Sequence, residues 1–195
     1  HWGRAHHYAT QAARQGLVGI CTTNGMPCMA GWGAKGRVIG NNPLAIGVPQ
    51  GEGSDPLVLD MAMSQAALGK IGTYLREGKT VPSGWGLDAS GQPTGDPSAI
   101  LSSGLVLPMG EHKGAGLALM MELLTGALSG GLLSYEVHQV DSTGLDPEGS
   151  KFLLAIDVSK FVEPERFTER VGALLRSIAA GVGSDGEFLY PGQRG

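Results

Sequence analysis

Apolar and polar positions along the chain alternate in short apolar runs separated by helical patterns and turn clusters. Residues 7–14 form a helical pattern that Gly16 ends. Residues 17–23 read as a short buried strand, residues 44–49 as a second apolar run and residues 57–60 as a third. Residues 61–70 then look helical, which places Asp60 where a strand hands over to a helix. There Asp60 is either an N-cap or a residue that helps to place a ligand at the carboxyl end of the strand. Residues 69–94 are less regular and rich in turns. Asp96 and Pro97 predict a short helix, with Asp96 as N-cap and Pro97 at the first helical position. Residues 141–149 read as a polar, acidic loop, and residues 152–158 as the clearest strand. Residues 164–178 form an amphipathic helix with Phe167, Val171, Leu174, Leu175 and Ile178 along one stripe.

The chain is organised around residues 107–124. A Pro/Gly turn leads through His112, Lys113, Gly114 and Gly116 into an apolar helix. Leu117, Met120, Met121, Leu124 and Leu128 recur at helical spacing, and Leu119 and Leu123 leave little polar surface elsewhere. The pattern predicts a helix buried on most sides. Its first turn would offer unpaired N–H groups and the positive end of the helix dipole, with Lys113 adding a full charge. Such a start can seat a pyrophosphate or a carboxylate. On the residues alone, a glycine-rich turn with a solvated lysine explains the same stretch. Residues 31–36 spell a literal G-x-G-x-x-G, yet residues 37–43 after them have strand and turn character. The dinucleotide fingerprint needs a helix at that point, so this hexapeptide is read as a loop.

Composition narrows the class. At 195 residues the chain can bury one good-sized core, and 42% hydrophobic against 16% charged residues fits a globular protein. The 33 glycines have no three-residue period, so they serve turns and close approaches, not a collagen-like helix. A net charge of −4 without a basic run gives no footprint for nucleic acid or a membrane surface. Residues 114–133 are about long enough for a membrane span, but Gly126, Gly130, Gly131 and a mid-helix Glu122 argue against one. Cys21 and Cys28 match neither a zinc spacing nor a redox motif and are expected as buried free thiols in a reducing compartment. His1, His6 and His7 scatter around a helix, and no H-E-x-x-H is present, so no metal site is expected.

Three segments in order carry a family resemblance: His1-Trp2-Gly3 with the helix after it, residues 42–49 with residues 59–62, and residues 109–124 around His112-Lys113-Gly114. They resemble the malate/L-lactate dehydrogenase family, which includes ureidoglycolate and sulfolactate dehydrogenases and 2,3-diketogulonate and piperideine-2-carboxylate reductases. The closing residues 190–193 are similar to the family's last loop. The resemblance implies an α/β fold with a mixed sheet flanked by helices, a non-Rossmann core that binds NAD or NADP. It implies hydride transfer between that cofactor and a small 2-hydroxy or 2-keto acid, or alternatively a cyclic imine, by a cytoplasmic homodimer. His1 matches the family's acid/base, and imidazole suits that role because it titrates near neutral pH. Asp60, Met61, Ala62, Met63, Ser64, His112, Lys113, Gly192, Gln193 and Arg194 match positions that contact the cofactor, and Thr23 and Asn24 lie in a segment near it. Trp2 stands where the family usually has phenylalanine. The family also has an N-terminal portion, carrying a second His-Gly pair and an arginine for the substrate carboxylate, that these residues do not match. Residues 1–195 are therefore expected to be a single cofactor-binding core from a longer chain. A non-catalytic cofactor-binding fragment is the rival reading.

Overall fold

The computed structural model describes residues 3–34, 36–141, 149–181 and 188–191, with the backbone alone at 138–141. The helices are α1 (Ala5–Arg14), α2 (Leu68–Arg76), α3 (Pro97–Ser103), α4 (His112–Glu122), α5 (Ser134–Asp141) and α6 (Pro164–Ala180). The strands are β1 (Leu17–Thr23), β2 (Leu44–Val48), β3 (Leu57–Met61) and β4 (Lys151–Asp157). The expected α/β class is what forms. The chain divides into two compact units, one of residues 2–21, 44–61 and 153–195, the other of residues 1, 22–43 and 62–152.

The first unit is built on a sheet of order β3-β2-β1-β4. Strands β2 and β3 are antiparallel, with Leu44 opposite Met61 and Val48 opposite Leu57. Helix α1 lies on β2 and β3, and its buried alanines Ala5 and Ala9 join Cys21, Ala45 and Val58 in one cluster. The approach is close enough that a Cβ on Gly47 would collide with the Ala9 carbonyl, and one on Gly19 would fall 2.6 Å from the Ala12 Cβ. Small residues on both sides set this helix-to-sheet distance. Asp60 departs from its expected N-cap role. Its Oδ2 accepts the His6 N–H at 2.9 Å, so it serves the start of α1 from the neighbouring strand. Strand β4 has a neighbour on one side only among the described residues, and its Leu153 and Leu154 are exposed. Along α6, Phe167, Val171 and Leu175 are half-buried while Leu174 and Ile178 are exposed.

In the second unit the helix expected over 61–70 begins only at Leu68. Residues 63–65 are drawn into a backbone ladder instead: the Met109 N–H donates to the Met63 carbonyl (2.9 Å) and the Gln65 N–H to the Leu107 carbonyl (2.8 Å). Helix α3 starts as expected, with Asp96 accepting the Ser98 N–H at 2.8 Å and Pro97 behind it. Helix α4 does not. Gly114, Ala115, Ala118 and Glu122 are its buried residues, and a π-helical turn, Leu123–Ala127, continues that buried side with Thr125 and Gly126. Leu117, Leu119, Met120, Leu123 and Leu128 are exposed. The helix packs through its small side because close contact demands it: a Cβ on Gly114 would collide with the Met109 carbonyl, and one on Gly126 would stand 2.7 Å from Leu133 Cδ2. Helix α5 has no counterpart in the sequence reading. Of the expected loop at 141–149, Asp141 ends α5 and residues 142–148 lie outside the described residues.

Glu122 is 6% exposed, and each of its oxygens takes two donors. Oε1 accepts from Asn24 Nδ2 (3.2 Å) and the Ser134 N–H (2.6 Å), and Oε2 from Asn42 Nδ2 (2.7 Å) and Ser134 Oγ (2.6 Å). The network spreads outward. Ser134 Oγ accepts the Gly40 N–H, Asn24 Nδ2 also donates to the Leu132 carbonyl, and Asn42 Nδ2 to that of Ala118.

Two stability predictions follow from this geometry. Glu122→Leu strands four buried donors and should cost about 3–5 kcal/mol, read as a lowered urea midpoint at unchanged slope; Glu122→Gln, which keeps one carbonyl, should cost less. Glu111 holds φ 58°, ψ −122° just ahead of α4, a conformation open to glycine and strained for other residues. Glu111→Gly should therefore gain about 1 kcal/mol and raise the melting temperature by about 2–4 °C, whereas Glu111→Ala should not.

Candidate functional site

The ladder between residues 63–65 and 107–109 determines what the second unit can present. It sets Ala62, Met63 and Ser64 alongside the turn that enters α4, so two stretches distant in the chain meet through backbone hydrogen bonds and a bridge between Ser64 and Pro108. Met63 is fully buried, and its main chain is fixed by Asn41, whose carbonyl accepts the Met63 N–H at 3.0 Å. Ser64 is also buried; its N–H donates to Asn41 Oδ1 (3.1 Å) and its hydroxyl to the Ala66 carbonyl (2.8 Å). The hydroxyl oxygen keeps acceptor capacity for a ligand.

The turn itself carries Gly110 at φ 53° and Glu111 at φ 58°. It differs from the open helix start that the sequence suggests. The Lys113 N–H donates to the Gly110 carbonyl (3.1 Å), the Gly114 N–H to Met109 (2.9 Å) and the Ala115 N–H to Glu111 (3.2 Å). These first-turn donors are spent on the preceding turn, because the tight Gly110-Glu111 reversal folds its carbonyls back over the helix start. What remains for an anion is the helix dipole, the His112 N–H and the side chain of Lys113, which is exposed.

His112 faces Trp32 edge-on, with ring centroids 5.8 Å apart and planes at 66°. The two rings border a cavity of about 690 Å³ that Leu119, Leu123, Leu133 and Tyr135 also line. Of its polar residues, Glu122 and Ser134 are already bonded to each other. The described residues of the Gly31–Gly36 motif, 31–34 and 36, lie in a loop, as expected, and residues 37–43 after them form no helix; yet Gly31 and Trp32 border the same cavity as His112. Trp32 and Tyr135 are not among the site residues expected from the sequence. The available signal was a large indole set between two glycines, where burial behind its own chain is difficult.

The remaining expected residues are placed as follows. Thr23 donates its hydroxyl to the Ser150 carbonyl (2.8 Å). Asn24, 4% exposed, gives both amide N–H groups to Glu122 and Leu132 and accepts the Ser150 N–H at Oδ1 (2.7 Å). Asn24 is thus fully engaged in holding the fold. Asp60 and Met61 end β3 in the sheet unit, whereas Thr23, Asn24, Ala62, Met63, Ser64, His112 and Lys113 belong to the other. His1, Gly192, Gln193 and Arg194 lie outside the described residues. Neither Cys21 nor Cys28 is in a disulfide; burial raises both thiols, Cys28 to about 11 against the smaller opposing effects of an Asn41 backbone hydrogen bond and the Arg37 charge. Both therefore stay protonated at neutral pH. Among the described residues no helix is long and apolar enough to cross a membrane.

The chain resembles known proteins along its whole length. It is 39% identical over 197 residues to the Δ1-pyrroline-2-carboxylate/Δ1-piperideine-2-carboxylate reductase of Pseudomonas putida, covering 97% of this chain and 56% of that protein. It is 36% identical over 185 residues to a malate dehydrogenase of Pyrococcus horikoshii, covering 91% and 50%. The crystal structure of Δ1-piperideine-2-carboxylate reductase from Pseudomonas syringae pathovar tomato superposes with a TM-score of 0.89 at 37% identity, covering 100% of this chain and 57% of that one. The chain spans about half the length of the curated relatives it matches. The model of the malate/L-lactate dehydrogenase family matches residues 1–195, and the chain belongs to that family.

Proposed function

We propose that this chain is the cofactor-binding part of a pyridine-nucleotide-dependent oxidoreductase acting on a small 2-hydroxy or 2-keto acid. The observation that carries the reading is the ladder that joins Met63 and Ser64 to the turn bearing His112 and Lys113, two segments that match the family's cofactor-contacting positions. The groups present suit a dinucleotide. Lys113 offers a point charge to a phosphate, Ser64 an acceptor, and the cavity beside Trp32 and His112 a flat apolar wall for a ring. Asp60, Met61, Gly192, Gln193 and Arg194 complete the proposed contacts. Thr23 and Asn24 support them from the interior.

The nicotinamide supplies the hydride chemistry when bound. The chain's own residues bind, orient and move the proton. Lys113 holds negative charge at the positive end of α4, and the rigid ladder fixes Ser64 relative to it. His1 is proposed to take the proton from the substrate hydroxyl during oxidation and return it during reduction. A cyclic imine is the second substrate class, favoured by the 39% identity to an enzyme named for two such imines. The reading includes a homodimer, for which exposed Leu117, Met120 and Leu128 offer apolar surface. It also includes a cytoplasmic setting, in which Cys21 and Cys28 remain reduced.

Fluorescence titration with NADH and NADPH tests cofactor binding, followed by turnover with 2-keto acids and with piperideine-2-carboxylate. Saturable binding is expected, weakened about tenfold in Lys113→Ala, the loss of one charge-assisted contact. Absence of binding to either nucleotide overturns the reading. Binding without turnover of any acid or imine makes the chain a cofactor-binding fragment.

A further inference from the structure

Helix α1 starts without local help. No side chain caps it at Arg4, and its first turn holds no acidic residue. The His7 N–H donates to the Arg4 carbonyl (3.1 Å), which leaves the His6 N–H to find its acceptor elsewhere in the fold. Asp60 Oδ2 supplies it at 2.9 Å, from 54 residues along the chain.

The sheet explains how Asp60 comes to be there. Side chains alternate along a strand, so Asp60 faces the same way as Val58, which packs with Ala5 and Ala9 of α1. Asp60 is the next residue on that face, and Ala45 opposite it is too small to compete for the space. The carboxylate is exposed, so a ligand can reach Oδ1 while Oδ2 keeps the His6 N–H.

Two functions meet at this side chain. Asp60 is among the cofactor contacts proposed above, and His1, the proposed acid/base, stands a few residues ahead of the helix start that Asp60 holds. A carboxylate only accepts, so from a dinucleotide it takes a ribose hydroxyl or the carboxamide NH2. We propose that Asp60 is a positioning residue with two holds, Oδ2 on the His6 N–H and Oδ1 on a donor of the bound nucleotide, so that cofactor binding firms the start of α1 and the segment that carries His1. A ligand on Oδ1 removes rotamer freedom from the side chain, and the bond at Oδ2 is then formed for more of the time. The inference rests on the nucleotide binding proposed above.

The test is amide hydrogen exchange of the 195-residue chain, alone and with saturating NADH or NADPH, whichever binds in the fluorescence titration. Nucleotide should slow exchange at His6 about fivefold or more and leave Ala13, deep in α1, unchanged. Asp60→Ala should speed His6 exchange about fivefold without nucleotide, as loss of a helix cap does, and abolish the response. Asp60→Asn separates the two holds: its one carbonyl oxygen can keep the His6 bond, whereas its NH2 cannot accept from the nucleotide. It should exchange like the parent alone and respond weakly to nucleotide. Failure of both nucleotides to bind sinks the functional reading and this inference together. Nucleotide binding with unchanged His6 exchange, Asp60→Ala exchanging at the parent rate, or Asp60→Asn responding in full overturns this inference alone.

Discussion

A carboxylate buried in the middle of an apolar helix is the constraint on which the second unit is built. Taking Glu122 out of water is expensive, and the cost is offset only if every lone pair finds a donor. Asn24, Asn42 and Ser134 meet that demand between them, and each then holds a second group: the carbonyls of Leu132 and Ala118 and the N–H of Gly40. One side chain thereby joins the end of β1, the loop ahead of β2, the third turn of α4 and the start of α5. A network of this kind is cooperative, so its members are better regarded as a single object than as separate bonds.

The same carboxylate explains which way α4 faces. With Glu122 turned inward, the residues stacked on its side are Gly114, Ala115 and Ala118, and Leu117, Leu119 and Met120 are left outside. Close packing on the inner side also brings Gly114 onto the Met109 carbonyl, which shapes the strained turn at Gly110 and Glu111. The helix start is consequently folded shut over its own amides.

Local signals in the sequence were reliable where the cause was local. The Asp96-Pro97 cap, the Gly16 stop, the β1 and β4 runs and the rejection of the G-x-G-x-x-G all rest on neighbours within a few residues, and all are found. Two failures had distant causes. Residues 61–67 have helical character, but Met63 and Gln65 find partners at 107–109, and no propensity reports a ladder across that distance. The burial of α4 departs from the apolar pattern because periodicity identifies a face without saying which face turns inward; small residues that permit close approach outweigh large ones that seek cover. Candidate site positions such as Ser64, His112 and Lys113 were legible through family motifs. Trp32 and the Asn42–Glu122 pairing needed three-dimensional placement, although a charge in an apolar helix was itself notice that partners had to exist.

Strand β4 leaves a row of backbone donors and acceptors without a second neighbour among the described residues, beside exposed Leu153 and Leu154. Such a margin is adhesive: it can template stacking of one molecule on the next and so limit solubility at high concentration. Lys151 and Asp157 bracket it with opposite charges, the placement by which gatekeeping residues slow edge-to-edge aggregation.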